Sequence, residues 1–307
     1  MNKQLIQLND QLCQQILRAA FDFYNIAPDE LEAYIREAET KNLGADRVSV
    51  SQALKHYVRD WSHEGDHERR TYSCILDTIG LYAPALALRF KTPPKVLLPG
   101  AGLGRLGYDI AALGGYDVTI NEWSMFMNLA YRFLEAQPAA GQHVVYPFID
   151  SWSHHAVTAD LQRPVTFPHK HIDTTSVLLV EGDFTTAFQD SKGSYDFIVT
   201  HFFIDTARNL LNYLETIHAT LNDGGYWINS GPLLYGTGPW VQLSLDEIIK
   251  VSEELGFEFR NTAPTCGETS STSKEVRWMA GIYGSSERAL NMNGYKVQSW
   301  VARKKPT

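Results

Sequence analysis

The chain has little of what a membrane-spanning, secreted or metal-stapled protein needs. Across its 307 residues no uninterrupted apolar run approaches the roughly 20 needed to cross a bilayer. The opening MNKQLIQLNDQLCQQ has neither the apolar stretch nor the small-residue cleavage site of a secretory signal. Three cysteines, Cys13, Cys74 and Cys266, are too few and too scattered for a disulfide framework or a CxxC metal site. Positive charge is also short. With 27 basic against 35 acidic residues the formal net charge is −8, which argues against a nucleic-acid-binding surface. What is present is a 44% hydrophobic share, enough for a full core, so a disordered tail is excluded. The expectation is a soluble intracellular protein, cytoplasmic with the nucleus as a second location, of one large domain or two ordinary ones.

The first ninety residues read as helical. Leu5, Leu8, Leu12, Ile16 and Ala19 recur at the three-to-four spacing of one buried helix face. PDELEAYIREAET predicts a second helix, with Pro28 suited to the first turn and acidic residues at the positive end of the dipole. Two more helices are expected at about 50–61 and 66–90, before the break at Pro93 and Pro94. Beyond it, short apolar runs alternate with helical stretches: KVLLP (95–99), DVTIN (117–121), SVLLV (176–180), DFIVTHFF (196–203) and YWINS (226–230). Helix-like spans at 104–113, 123–136 and 206–221 separate several of them, which implies right-handed crossovers and a mostly parallel, doubly wound α/β sheet. EVRWMAG (275–281) and YKVQSWVA (295–302) have no crossover helix between them and could form an antiparallel edge. The expected organisation is a helical region at 1–93 and a Rossmann-like domain at 94–307, interrupted by an insertion at about 137–175.

That insertion carries four prolines and five of the ten histidines. Loops of this length inside a domain are usually functional lids or locally ordered insertions. The spacing of His154, His155, His169 and His171 matches no established metal-ligand pattern, and no metal is expected. His63-Glu-Gly-Asp-His67 spells the zinc-protease HExxH, but Gly65 and Asp66 are poor residues for the helix that must align both histidines.

The strongest local signal is LLPGAGLGRLGYDIAALGGYDVTINEWS, where a strand ends at Pro99 and a helix opens at about Arg105. Gly100, Gly102, Gly104 and Gly107 fall at the turn, where positive φ and close approach of a ligand to bare backbone both call for glycine. The second strand ends at Glu122, about twenty residues on, where a carboxylate can accept two ribose hydroxyls. Gly102 to Gly107 spells GxGxxG, so a nicotinamide dehydrogenase is an alternative, as is a ligand-free tight turn. Arg105 and the carboxylate of Glu122 also suit S-adenosylmethionine, which has a ribose but no pyrophosphate. Asp183 and Phe184, just after the third strand, supply an acid and a ring for an adenine. Asp205 closes the fourth strand region at the carboxyl edge of the sheet, where such folds bind ligands.

Six blocks now stand in order: VRDWSHEGDHER (58–69), LLPGAGLGRL (97–106), NEWS (121–124), EGDF (181–184), FFIDTARN (202–209) and GPLLY (231–235). Together they resemble the carnosine N-methyltransferase family over roughly residues 50 to 303. The resemblance implies a seven-strand class I methyltransferase fold with an added helical region. It also implies methyl transfer from S-adenosylmethionine to an imidazole nitrogen of a histidine-containing dipeptide. On the donor side it implies that Arg59 reaches the methionine carboxylate, with His56 where the family usually has glutamine. Gly100 lies under the donor, Glu122 takes the ribose, Asp183 and Phe184 hold the adenine, and His201 replaces a family cysteine. On the acceptor side it implies Asp205, Tyr235 and Tyr295. After GPLLY the family has a histidine that contacts the substrate imidazole, whereas here Gly236-Thr237-Gly238 follows. The donor half matches the family and the acceptor half departs from it.

Methyl transfer from a sulfonium is an in-line displacement, and alignment alone is worth effective molarities of about 10⁵–10⁸ M. Imidazole, with an unperturbed pKa of about 6.5, is largely neutral at pH 7 and needs no strong base. Asp205 could accept the opposite ring N–H and steady the cation that forms, or could bind an acceptor ammonium. The competing structural reading is that it caps the helix TARNLLNYLETI. Three functional alternatives stay open: a donor-binding scaffold without turnover, a methyltransferase of another small molecule, or one of a peptide. No membrane or nucleic-acid partner is expected, and the oligomeric state is not legible.

Overall fold

The computed structural model describes residues 2–44, 46–89, 92–236, 238–284 and 286–306, with only the backbone described at Asn2 and at 87–89. In chain order the helices α1 (Asn2–Tyr24), α2 (Pro28–Thr40), α3 (Arg47–Trp61) and α4 (Tyr72–Arg89) come first. Strand β1 (Lys95–Pro99), helix α5 (Arg105–Ala111), strand β2 (Asp117–Glu122) and helix α6 (Met125–Ala136) follow. Next come β3 (His143–Val145), α7 (Thr158–Leu161), β4 (Val165–Phe167), β5 (Val177–Glu181), α8 (Phe184–Ala187) and β6 (Tyr195–His201). The chain ends with α9 (Leu210–Thr220), β7 (Leu221–Gly231), α10 (Leu245–Glu254), β8 (Phe257–Arg260), β9 (Glu268–Thr269), β10 (Arg277–Ile282) and β11 (Gly294–Lys304). Helices give way to alternating strands and helices between Arg89 and Lys95. The compact units follow other bounds: one comprises Met1–His67, Ser124–Thr174 and Gly284–Met292, the other Glu68–Trp123, Thr175–Tyr283 and Asn293–Thr307.

The first unit is helical around one small hairpin. On α1 the buried positions are Leu12, Ile16 and Ala20, while Leu8, expected on that face, is 38% exposed. Tyr57 on α3 is fully buried, stacks on Phe167 of β4 at 4.1 Å, and donates its hydroxyl to Ala130 O on α6 at 2.8 Å. Burial raises the Tyr57 phenol well above its ordinary pKa, so it stays a donor. Strands β3 and β4 pair antiparallel within the segment read from sequence as an insertion. Their three-residue length is too short for period-2 alternation to register.

The second unit holds a nine-stranded sheet in the order β5-β2-β1-β6-β7-β11-β10-β9, with β8 also paired to β11. The five strands β5, β2, β1, β6 and β7 run parallel, as alternation with helices requires. Strand β11 runs antiparallel to β7 on one side and to β8 and β10 on the other. The pairing of the last two runs is therefore antiparallel as read from sequence, but β11 lies inside the sheet and forms no edge. The order β5-β2-β1-β6-β7-β11-β8, reversed only at β11, is the doubly wound α/β fold expected of a class I methyltransferase. Beneath the sheet, Trp227 and Trp300 are fully buried, meet edge to face at 5.4 Å, and Trp227 Nε1 donates to Thr200 Oγ1 at 2.9 Å.

One sequence expectation is corrected here. Cys74 on α4 and Cys266 form a disulfide across 192 residues of sequence, and both are buried. Their separation along the chain said nothing of their separation in space, because α4 and the turn before β9 pack together. Cys13 remains free, its thiol pKa raised by burial and then by Asp10.

Gly100 has φ +66, and a Cβ there would meet Phe203 Cδ2 at 2.2 Å. Gly114 has φ +78 but open space around it. Gly100→Ala is expected to cost about 2–4 kcal/mol by strain plus overpacking. Gly114→Ala should cost about 1 kcal/mol, from φ alone. Urea midpoints of the two variants check this, and equal losses would remove the Phe203 contact from the account.

Candidate active site

The carboxyl edge of the sheet is shaped by the turn between β1 and α5. Gly100, Gly102 and Gly104 all hold positive φ, at 66, 58 and 78 degrees. Gly107 serves differently: a Cβ there would meet Ile120 Cγ2 at 2.5 Å, so this glycine lets α5 lie close on β2. Glu122 ends β2 and turns its carboxylate back on the glycines. One oxygen accepts Gly102 N–H at 2.9 Å and the other accepts Trp123 N–H at 2.8 Å. Asn121 Nδ2 donates to the carbonyls of Val180 and Gly182, tying the neighbouring strand tip to the same place.

These residues fit a nucleoside without phosphates. Three glycines of one turn, bare of side chains, lie beside a carboxylate at the end of the second strand, the place where such folds bind a ribose. The amide that a pyrophosphate would need, Gly102 N–H, already serves Glu122, and a diphosphate there would face that negative charge. The GxGxxG spelling therefore does not lead to a dinucleotide. Arg105, expected to help the donor, is buried and spends Nε on both oxygens of Asp109 at 3.0 Å. It braces the helix that begins at the turn.

Asp183 caps α8, its Oδ1 accepting Thr185 N–H at 2.8 Å and the Thr185 hydroxyl at 2.7 Å. Phe184 is 3% exposed and packs against Phe203, Tyr213 and Phe188. The open ring face anticipated for an adenine is thus a core contact, because the turn after Gly182 points the residue inward.

The tip of β6 gathers aromatic rings. His201 Nε2 shares a hydrogen bond with the buried Thr71 hydroxyl at 2.9 Å, and Tyr72 meets the imidazole edge-on at 5.2 Å. Phe202 holds the unusual φ of +49, and Gly231 leaves room for it, since a Cβ there would meet Phe202 N at 3.0 Å. In that conformation Phe202 stacks on Tyr283 at 5.0 Å and 16 degrees and meets Tyr295 edge to face at 6.0 Å. Tyr283 was not singled out in the sequence; its position at the end of the RWMAGIY alternation, facing β11, is the signal that could have found it.

Asp205, three residues on, is 6% exposed. Its Oδ2 accepts Leu234 N–H at 2.8 Å, and desolvation raises its pKa above the ordinary carboxylate value against the opposing pull of that amide. The helix-cap reading fails, because α9 begins at Leu210 and its cap is Asn209, which accepts Leu211 N–H. Tyr235 also departs from expectation. Its hydroxyl donates to Leu243 O at 2.6 Å and accepts Leu243 N–H at 3.1 Å, so it holds its own loop. Gly236 has nothing within 4 Å of a built Cβ, and Thr237 lies outside the described residues.

His56 and Arg59 stand on α3 in the first unit. Arg59 pairs with buried Asp60 through Nε at 2.7 Å and Nη2 at 3.1 Å. His56 hydrogen-bonds Gln52 O at 2.8 Å; desolvation first, then the Arg59 cation, lowers its pKa to about 4. Residues His63–Gly65 form a 3-10 turn, so His63 and His67 share no α-helical face.

The family model for carnosine N-methyltransferase matches residues 37–306 of this chain. The chain belongs to the carnosine N-methyltransferase family. It is 35% identical over 279 residues to a carnosine N-methyltransferase of Schizosaccharomyces pombe, with 83% of this chain and 72% of that protein aligned. Against the Mus musculus carnosine N-methyltransferase the identity is 35% over 251 residues, covering 75% of this chain and 60% of that protein. Against a Drosophila melanogaster relative it is 30% over 287 residues, covering 90% and 59%. Membership in the carnosine N-methyltransferase family makes the chain a methyltransferase that uses S-adenosylmethionine, in agreement with a turn built for a phosphate-free nucleoside.

Two outcomes follow. Glu122→Ala should weaken donor binding about tenfold or more, since a hydrogen bond to a charged group contributes about 1.5–3 kcal/mol. Calorimetry showing unchanged affinity would remove Glu122 from the ribose site. An unfolded histidine takes a proton near pH 6.5, whereas folded His56 stays neutral down to about 4, so stability is lost as pH falls through that window. His56→Gln should flatten the stability curve there by one proton's slope, read from urea midpoints at pH 7 and pH 5; an unaltered slope contradicts it.

Proposed function

We propose that the chain methylates an imidazole nitrogen of carnosine or a closely related histidine-containing dipeptide. The carrying observation is the Phe202–Tyr283–Tyr295 ring cluster after β6, with the buried carboxylate of Asp205 three residues beyond Phe202 in the chain. S-adenosylmethionine supplies an activated methyl group on a sulfonium. The protein's own residues have three tasks: alignment, exclusion of water and stabilisation of the positive charge that appears on the acceptor ring.

A flat imidazole suits a wall of stacked and edge-on rings, and such rings attract the cation that forms as the methyl arrives. Asp205 accepts the ring N–H on the side opposite the attacking nitrogen, which selects the tautomer whose lone pair faces the donor. Its backbone partner Leu234 keeps one carboxylate oxygen in place. Gly236 stands where the family has a substrate-contacting histidine, so that contact is missing from this chain. Cytoplasmic residence, where such dipeptides and the donor are made, belongs to the same proposal.

The test is methylation of carnosine by the purified protein, with mass spectrometry locating the methyl group on the ring. Asp205→Asn keeps an acceptor for Leu234 N–H while removing the charge. It should lower kcat about 100-fold, in the range for losing one charge-stabilising group, and leave donor Kd within about twofold. Equal loss of turnover and donor affinity contradicts the assigned role.

A further inference from the structure

Three rings meet behind the donor turn, and one of them is polar. Phe203, the ring that abuts Gly100, stacks on Tyr213 of α9 with centroids 4.8 Å and planes 14 degrees apart. Phe184, which follows the Asp183 cap, meets both of these rings edge to face, Phe203 at 5.8 Å and Tyr213 at 5.7 Å. Tyr213 is thus held between the ring under the glycine turn and the ring beside Asp183. The two phenylalanines are buried, whereas Tyr213 is only partly so. On α9 the buried stripe is Leu210, Leu214 and Ile217, and Tyr213 joins it three residues after Leu210. Packing at this position calls for a flat apolar ring, which phenylalanine would supply as well. The hydroxyl is what packing does not call for.

The two carboxylates of this edge stand on neighbouring strand tips. Glu122 pairs in register with Glu181 at the end of β5, and Gly182 N–H donates to Glu122 O at 3.0 Å, one residue before Asp183. The cap on α8 is made through Oδ1 of Asp183. Tyr213 lies within the field of both acids. Burial raises its phenol above the ordinary pKa, a hydrogen bond with Thr206 opposes the rise, and the charges of Asp183 and Glu122 add to it. The group therefore stays protonated, and a neutral phenol can both donate and accept a hydrogen bond. Between two acids, such a group suits a ligand that presents hydroxyls and ring nitrogens and carries no phosphate.

We propose that Tyr213 is a donor-binding residue: held by Phe203 and Phe184 between the glycine turn and the Asp183 cap, its hydroxyl hydrogen-bonds the nucleoside part of S-adenosylmethionine. The nucleoside is the part concerned because the end of the second strand is where such folds bind a ribose. The identity of the methyl acceptor does not enter.

Calorimetry on the full chain tests the assignment. Tyr213→Phe keeps the stack and removes the hydroxyl. It should weaken binding of S-adenosylmethionine about fivefold, as loss of one neutral hydrogen bond allows, with the urea midpoint little moved. 5′-Methylthioadenosine, which keeps the nucleoside and lacks the amino-acid arm, should lose affinity by the same factor when measured in competition with S-adenosylhomocysteine. A change below about twofold for S-adenosylmethionine overturns the proposal. So does a loss that spares 5′-methylthioadenosine, since the contact would then lie on the amino-acid arm. A second readout leaves the hydroxyl in place. The fluorine resonance of 3-fluorotyrosine at position 213 should shift when S-adenosylhomocysteine saturates the protein, and an unmoved resonance overturns the contact. Should Tyr213→Phe also lower the urea midpoint, this second readout decides.

Discussion

The close approach of Gly100 to Phe203 is the constraint on which the sheet edge depends. The tips of β1 and β6 are neighbours in the sheet, and the chain must leave both without collision. At 2.2 Å no Cβ can stand between backbone and ring, so only glycine permits the turn and the ring together. Phe203 in turn stacks on Tyr213 at 4.8 Å and meets Phe184 edge-on at 5.8 Å, which joins the turn to the aromatic core. The Glu122 carboxylate completes the arrangement by binding two backbone amides, those of Gly102 and Trp123.

Charge at this edge is placed by burial as much as by sequence. Arg105 neutralises Asp109 locally, and Asp183 gives one carboxylate oxygen to the turn it caps. Asp205 is the carboxylate whose ionised form is disfavoured by desolvation, which is the condition for a strong interaction with a cation that appears only during the reaction. A carboxylate in water would be ionised more easily and would attract that cation less.

Away from the edge, the unit relies on ties across long stretches of chain. The Cys74–Cys266 bridge closes 192 residues and joins α4 to the turn that leads into β9 and β10. The hairpin of β10 and β11 then carries aromatic side chains to Phe202 at the end next to its connection.

Much of the parallel sheet was legible because strand and helix periods differ and because KVLLP, DVTIN and DFIVTHFF are too apolar for loops. The donor turn was legible for a related reason: positive φ and close approach demand glycine, and few other patterns place four glycines in eight residues after a strand. The disulfide, the β3–β4 pair, the place of β11 inside the sheet, Tyr283 beside Phe202 and the inward turn of Phe184 were not legible. Each depends on which distant segments meet, and local periodicity carries no information about that. Asp205 was singled out from the sequence, but its partner Leu234 was not, and only the fold set aside the helix-cap reading. The sequence by itself determined the doubly wound α/β architecture, through alternating periods along the chain, and the glycine turn with its carboxylate, through backbone stereochemistry within thirty consecutive residues. Only the tertiary structure decided which rings and charges gather at the tip of β6, since burial and long-range packing set them there.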